Sequence, residues 1–146
     1  MQDVIECDID KINSLDEPAS EILKDISIIL VKTSHPGNIG STARAMKTMG
    51  LRNLILVSPK EFPSDKANAL ASGARDILDN AKVVDNLDDA LKGQSLIFAT
   101  SARVRNLAWP ELDPTKASQK AINFLLDRDK DSLVKQQVAV LFGEER

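Results

Sequence analysis

The sequence predicts an α/β fold in which a mostly parallel sheet carries helices on both faces. Short apolar runs rich in branched residues alternate along the chain with segments that have helical spacing. Helices between strands produce parallel sheets covered on both sides, whose strands read as continuous apolar runs. The 146 residues, 42% of them hydrophobic, are enough for one domain with its own core.

Five apolar runs are predicted to be strands. In chain order they are Ile26–Val31, Leu54–Val57, Val83–Val84, Leu96–Ala99 and Val138–Phe142. Three segments between them have apolar residues at helical spacing, namely Ile39/Ala43/Met46/Met49, Leu87/Ala90/Leu91 and Ala117/Ala121/Phe124. Gly50 and Gly93 stand where the first two helices should end, and Asp113-Pro114 predicts an N-cap followed by proline at the start of the third.

Charge divides the chain into two parts. Residues 1–25 contain eight acidic residues against Lys11 and Lys24, whereas residues 26–146 contain 14 acidic and 17 basic residues. We therefore predict an acidic N-terminal extension over 1–25 and an α/β domain over 26–146. The extension has the spacing of a short amphipathic helix and also the acidity of a disordered segment, so it reads either as a partner-binding arm or as a weakly docked terminus.

Composition excludes several classes of protein. A single cysteine rules out a disulfide framework, no apolar run reaches the roughly 18 residues of a membrane span, and no signal-peptide pattern opens the chain. We therefore expect a cytoplasmic protein without a membrane partner. One His and no clustered carboxylates predict that there is no metal site. One Trp, four Phe and no Tyr are too few aromatics for a base-stacking platform, so contacts to RNA must use phosphate, ribose and backbone groups.

The most informative segment is 35–51, which directly follows the first predicted strand. It reads His-Pro-Gly-Asn-Ile-Gly-Ser-Thr-Ala-Arg-Ala-Met-Lys-Thr-Met-Gly-Leu. A strand that runs through a Gly/Asn turn into a helix presents backbone donors at the carboxyl end of the strand, where open α/β sheets bind ligands. The helix also carries a fixed cation, Arg44. Neither a dinucleotide fingerprint nor a P-loop occurs in the chain.

Small residues follow two other predicted strands. Thr100, Ser101 and Ala102 come after the fourth strand, and Gly143 comes after the fifth. Small side chains at strand ends leave room for a nucleoside to approach the backbone. Ordinary strand-to-loop turns use the same residues, so both interpretations stay open from spacing alone.

The pattern Asn38-x-Gly40-Ser41-x-Ala43-Arg44, with Gly50 six residues later, resembles the first signature of the SpoU-type RNA 2′-O-methyltransferases. The flanking residues 33–35 and 45–51 resemble a tRNA-modifying branch of that family. Two later segments agree, Thr100-Ser101-Ala102-Arg103 and Phe142-Gly143-Glu144-Glu145-Arg146, of which the second opens the second family signature.

The resemblance implies S-adenosylmethionine as cofactor, tRNA as substrate and a homodimer. The reaction it implies is methylation of the ribose of nucleotide 32 in the anticodon loop. It also implies a SPOUT-type α/β-knot fold, closed by a C-terminal segment that would follow the second signature. Because the sequence stops inside that signature, we expect the knot segment to be absent and these 146 residues to be inactive by themselves.

The resemblance also implies roles for individual residues. Arg44 would face the reacting ribose 2′-hydroxyl, whereas periodicity alone places it on a solvated helix face. A guanidinium rarely gives up its proton, so we predict that Arg44 holds phosphate and stabilises the developing alkoxide. Asn38 either caps the helix or contacts the substrate.

Further contacts are implied at the later motifs. Those to the cofactor are assigned to Thr100, Ser101, Ala102, Gly143 and Glu145. Those to RNA are assigned to His35, Ser41, Arg103 and Arg105, with solvated side chains as the alternative for the two loop arginines. The alternative for the whole chain is a catalytically silent RNA- or protein-binding module on the same scaffold.

Overall fold

The computed structural model of the chain describes residues 19–101, 110–129 and 131–144. Its strands are Ile26–Val31 (β1), Asn53–Val57 (β2), Lys82–Val84 (β3), Leu96–Thr100 (β4) and Val138–Phe142 (β5). All five runs predicted as strands are confirmed, three of them longer by one residue. Four predicted site residues, together with residues 1–18 of the acidic extension, lie outside the described residues: Ala102, Arg103, Arg105 and Glu145.

Within the described residues, six helices and one 3₁₀ turn accompany these strands. The helices are Ala19–Leu23 (α1), Pro36–Thr48 (α2), Asp65–Ala71 (α3), Arg75–Asp79 (α4), Leu87–Leu91 (α5) and Pro114–Leu126 (α6), and the 3₁₀ turn is Ser72–Ala74. The three helices predicted from apolar spacing are α2, α5 and α6, and all three are confirmed. The other three, of five to seven residues each, were not predicted from the apolar spacing.

The predicted helix ends are also confirmed. Gly50 and Gly93 follow α2 and α5 with φ angles of 76° and 80°, a left-handed backbone conformation that glycine adopts without strain. The Asp113 side chain accepts a hydrogen bond of 2.8 Å from the backbone N–H of Lys116, and this bond lowers the pKa of Asp113. Pro114 then begins α6, where its missing N–H leaves no helical bond unmade.

The strands pair in the order β3-β2-β1-β5-β4, and every pair is parallel. The connections β1 to β2, β2 to β3 and β4 to β5 step along the sheet in one direction, and only β3 to β4 runs back. Crossovers between parallel strands are right-handed, so the helices of the three connections that run in one direction belong on one face of the sheet. The helix of the connection that runs back, α5, belongs on the other face.

Side-chain packing follows this rule. Ile28 and Leu30 of β1 contact α2, α3 and α4, whereas Ile29, between them on the strand, packs with Ala90 of α5 on the opposite face. A third cluster at the start of the sheet joins α1 and α6 to the strands through Ile22, Ile26, Ala121, Leu125 and Val138. The expected helices on both faces are therefore present, with most of them on one side.

An unusually close contact joins α2 to α3. A Cβ atom added to Gly40 would lie 2.1 Å from the backbone oxygen of Ala67 and 3.0 Å from the backbone nitrogen of Ala71. Backbone atoms cannot move aside as a flexible side chain can, so only glycine lets the two helices approach this closely. The buried residues Ile39, Ala43 and Met46 of α2 belong to the cluster that also contains Ile28 and Leu30 of the sheet.

A buried carboxylate fastens the start of β1. Asp25 is 4% exposed, and its side chain forms ion pairs with Arg128 and, at 2.6 Å, with the Nζ atom of Lys135. Its carbonyl oxygen accepts a hydrogen bond of 2.9 Å from the N–H of Val138. Asp25 therefore connects the α1–β1 junction to the segment between α6 and β5.

Gly40→Ala should destabilise the protein by about 1–3 kcal/mol, because the added methyl forces α2 away from α3. Helix propensity alone would favour alanine by about 0.5–1 kcal/mol, so the sign of the change distinguishes the two effects. Urea unfolding measures it. Gly73→Ala is the matched control, since a Cβ atom at Gly73 meets no atom within 4 Å. An unchanged or higher stability of Gly40→Ala would contradict the close contact.

Asp25→Asn should lower stability by about 1–3 kcal/mol, because it leaves Arg128 and Lys135 without the buried negative charge that they share. The midpoint of thermal unfolding measures this change. The control is Glu21→Gln, which removes an ion pair with Lys24 in which the two side chains are 44% and 55% exposed. An exposed pair of that kind contributes little, so Glu21→Gln should leave the midpoint nearly unchanged. Equal effects of the two substitutions would show that burial of Asp25 adds nothing.

Candidate active site

A cleft of about 280 Å³ opens at the carboxyl ends of β1 and β5. Its lining residues are Leu30, Thr33, Asn38, Thr42, Phe142, Gly143 and Glu144. Leu30 and Phe142 are direct register partners on the two neighbouring strands. The strand that follows β1 in the sequence lies on one side of this pair, and the strand that precedes β5 lies on the other. Ligands of open α/β sheets bind in the crevice outside the carboxyl ends of the strands.

The start of α2 places two polar side chains in the cleft. α2 begins at Pro36 with His35 as its N-cap residue, so Asn38 is the third residue of the helix. Of the two roles left open for Asn38, the N-cap is thereby excluded, because the helix starts at Pro36, three residues before the start that an Asn38 cap would give. Thr42 follows Asn38 by four residues and lies on the same helix face, which explains why both line the cleft.

Arg44 lies on the same helix but not in this cleft. It is exposed, and the helix turn separates it from Asn38 by about 9 Å along the axis and about 120° around it. Ser41, Lys47 and Thr48, which helical spacing places on the same face as Arg44, are exposed too. The cation that the sequence singled out thus faces away from the cleft of its own chain.

The next cation on α2 already has a partner. Lys47 donates a hydrogen bond of 2.7 Å to Asp76, and this bond is the main cause of the lowered pKa of that carboxyl. Arg52 lies 3.7 Å from the same carboxylate. Arg44, by contrast, pairs with no carboxylate within residues 19–101, 110–129 and 131–144. Arg44 can therefore bind an external anion without first breaking an ion pair to those residues.

Three residues predicted to contact the cofactor are described, and they lie at the same edge of the sheet: Thr100, Ser101 and Gly143. Thr100 ends β4 beside Phe142, and its hydroxyl donates a hydrogen bond of 3.0 Å to the backbone oxygen of Leu141. That hydroxyl joins β4 to β5. Ser101 is exposed next to it. Gly143 lines the cleft, and a Cβ atom there would meet no atom within 4 Å.

Two residues predicted to contact RNA are described, and both are exposed. His35 is the N-cap residue of α2, and Ser41 lies in the first turns of that helix. Sequence reasoning missed Thr33 and Thr42. The position of Thr42 four residues after Asn38 was a signal that could have identified it. Thr33, which is 5% exposed, carried no such signal.

Sequence reasoning also missed an ion pair at the rim of the cleft. Lys32 follows β1, Glu144 follows β5, and the Nζ atom of Lys32 lies 2.7 Å from the Oε1 atom of Glu144. The two residues are far apart in the chain, so no local pattern joins them.

Two negative findings concern the described part of the chain. It contains no group of three or more His, Cys, Asp or Glu side chains placed to hold a metal ion. None of its helices combines the length and the apolar character that crossing a membrane would require.

Comparison with known proteins identifies relatives of similar sequence and structure. The tRNA (cytidine/uridine-2'-O-)-methyltransferase TrmJ of Sodalis glossinidius (strain morsitans) is 54% identical over 125 residues, which are 86% of this chain and 46% of that protein. The chain spans about half the length of the curated relatives it matches. A crystal structure of a probable methyltransferase from Bordetella pertussis Tohama I is 40% identical, with a TM-score of 0.76 over 87% of this chain and 74% of that chain.

A more distant structure shares the fold alone. The SpoU methyltransferase AviRb from Streptomyces viridochromogenes, in complex with the cofactor AdoMet, is 15% identical, with a TM-score of 0.51 over 95% of this chain and 47% of that chain. A family model described as the SpoU rRNA Methylase family matches residues 25–146. The parallel α/β fold and the resemblance to this family are thereby confirmed, and the chain belongs to the SpoU rRNA methylase family.

Proposed function

We propose that the protein is an S-adenosylmethionine-dependent tRNA 2′-O-methyltransferase and that it acts on the ribose of nucleotide 32 in the anticodon loop. The observation that carries this proposal is the position of the 35–51 segment, which starts a helix at the crevice between β1 and β5 and lines it with Asn38 and Thr42. The name of the Sodalis relative, a tRNA (cytidine/uridine-2'-O-)-methyltransferase, supports the substrate and the atom modified.

The cleft suits the nucleoside part of such a cofactor. Leu30 and Phe142 provide apolar surface for a base, while Thr33, Asn38 and Thr42 provide polar groups for a ribose. The cleft volume of about 280 Å³ is near the lower end of the range for small-molecule sites. These residues would therefore enclose only part of the bound cofactor. When bound, S-adenosylmethionine supplies the methyl group that is transferred.

The residues of the chain would act on the acceptor. In the proposal, Arg44 binds a tRNA phosphate and stabilises the negative charge that develops on the ribose oxygen as its proton leaves. The guanidinium is planar and permanently charged, and it presents several donors at once, so one side chain can hold both oxygens. A cation already in place helps the transition state more than the ground state. Asn38, at the cleft, would contact the ribose.

The direction of Arg44 supports a homodimer. Because Arg44 faces away from the cleft that its own chain lines, the simplest complete site combines the cleft of one protomer with Arg44 of the other. The exposed face of α2, with Ser41, Arg44 and Thr48, would then lie next to the cleft of the second protomer.

In a protein that also carries the closing C-terminal segment, Arg44→Ala should lower the single-turnover rate of tRNA methylation by about 10²–10³, with little change in affinity for S-adenosylmethionine. Arg44→Lys should restore little of the rate, because an ammonium keeps the charge but lacks the planar fork. Arg75→Ala is the control, since Arg75 is also an exposed arginine, lies on α4 and does not line the cleft. A near-normal rate for Arg44→Ala would remove Arg44 from the mechanism.

The same variant tests the dimer. Arg44→Ala protomers mixed with protomers that cannot bind the cofactor should regain one working site per mixed dimer. An absence of activity in confirmed mixed dimers would show that Arg44 does not act on its partner's cleft.

Gly143→Val should weaken binding of S-adenosylmethionine by at least about tenfold, since the new side chain would occupy space in the cleft. The fold should tolerate it, because a Cβ atom there meets no neighbour within 4 Å. Titration calorimetry on the protein measures the affinity, and thermal unfolding measures the fold. Normal affinity at an unchanged unfolding midpoint would place the cofactor elsewhere.

A further inference from the structure

The segment after β1 is held in an uncommon backbone conformation. Lys32 has a φ of 48°, which places a residue with a full side chain in the left-handed region. Its N–H donates a hydrogen bond of 2.8 Å to the backbone oxygen of Val57, and the oxygen of Thr33 accepts one of 3.1 Å from Lys60. A left-handed non-glycine residue persists only where its surroundings hold it. The Lys32 backbone is thus anchored to the end of β2 and the segment behind it.

The segment after β5 is less enclosed. Phe142 is 41% exposed, Gly143 and Glu144 are exposed, and the space around the Gly143 Cα atom is open. The ion pair between Lys32 and Glu144 connects this segment to the anchored one, at 2.7 Å, with the two side chains 62% and 46% exposed. Because Phe142, Gly143 and Glu144 are three of the seven cleft-lining residues, the position of this segment determines one wall of the cleft.

We propose that Lys32 and Glu144 are positioning residues, whose ion pair holds the Phe142–Glu144 segment against the end of β1 and so keeps the cleft in the form that binds its ligand. Neither side chain has to touch the reacting atoms. A ligand that needs one arrangement of this wall has an apparent affinity proportional to the fraction of protein in that arrangement. An interaction that raises this fraction therefore raises the affinity by the same factor. The choice of S-adenosylmethionine as that ligand rests on the proposed function.

Charge reversal tests the pair. Lys32→Glu and Glu144→Lys each replace attraction by repulsion and should weaken binding of S-adenosylmethionine by about three- to tenfold in low salt. The double variant Lys32→Glu/Glu144→Lys restores opposite charges and should bind within about twofold of the wild type. Calorimetry without RNA is the measurement, so that a changed attraction to phosphate does not enter. The difference between single variants and wild type should shrink in 0.5 M salt, where exposed charges are screened within about 4–5 Å.

Lys92→Glu is the matched control. Lys92 forms an exposed ion pair of 2.6 Å with Asp89 on α5 and does not line the cleft, so its reversal should leave the affinity unchanged. Single variants of Lys32 and Glu144 that bind as wild type would overturn the proposal, and so would a double variant as weak as the two single changes combined.

A second readout is independent of the cofactor. In the ligand-free protein, the backbone N–H groups of residues 142–144 should exchange with deuterium faster in each single variant and return to the wild-type rate in the double variant. If wild-type protein failed to bind S-adenosylmethionine, the proposed function would fall while this exchange experiment still decided the role of the pair. Unchanged exchange in the single variants would refute that role even if wild-type protein bound the cofactor normally.

Discussion

The backbone contact between Gly40 and Ala67 sets the position of the helix on which the candidate site depends. Because a Cβ atom at Gly40 would lie 2.1 Å from the Ala67 oxygen, α2 reaches this depth only with glycine at that point. Its apolar side packs on the sheet at the same time, so the helix is held from two directions. Once its rotation is set, Asn38 and Thr42 fall at the cleft and Arg44 falls on the exposed face. A change of rotation would move all three together.

Strand order supplies the other half of the site. β1 and β5 come from opposite ends of the described chain, yet they pair at the centre of the sheet, with Leu30 opposite Phe142. Three connections run one way along the sheet and one runs back, which crowds helices on one face and leaves α5 alone on the other. The crevice lies at the carboxyl ends of these two paired strands, where the segment after β1 meets the segment after β5.

Ion pairs of different burial do different things in this structure. The buried Asp25 carboxylate joins the start of β1 to the α6–β5 connection, and its effect is on stability. Asp76 engages Lys47 on the surface, which leaves Arg44 as the cation of α2 that pairs with no carboxylate among the described residues. The exposed pair between Lys32 and Glu144 contributes little to overall stability, but in our proposal it decides where one wall of the cleft stands. Ion pairs of similar length therefore have different effects, which depend on how deeply the charges are buried and which segments they connect.

The sequence by itself determined the strands, the three periodic helices and the glycine and Asp-Pro helix boundaries, because each of these signals is contained in a few consecutive residues. It also determined the family, through short motifs such as residues 38–44. It left two roles open for Asn38, and the structure excludes the helix cap, because the helix starts at Pro36. Strand order, the burial of Asp25 and the pairing of Lys32 with Glu144 were decided only by the tertiary structure. Each of these depends on groups that are distant in the chain, and only the completed sheet brings such groups into contact.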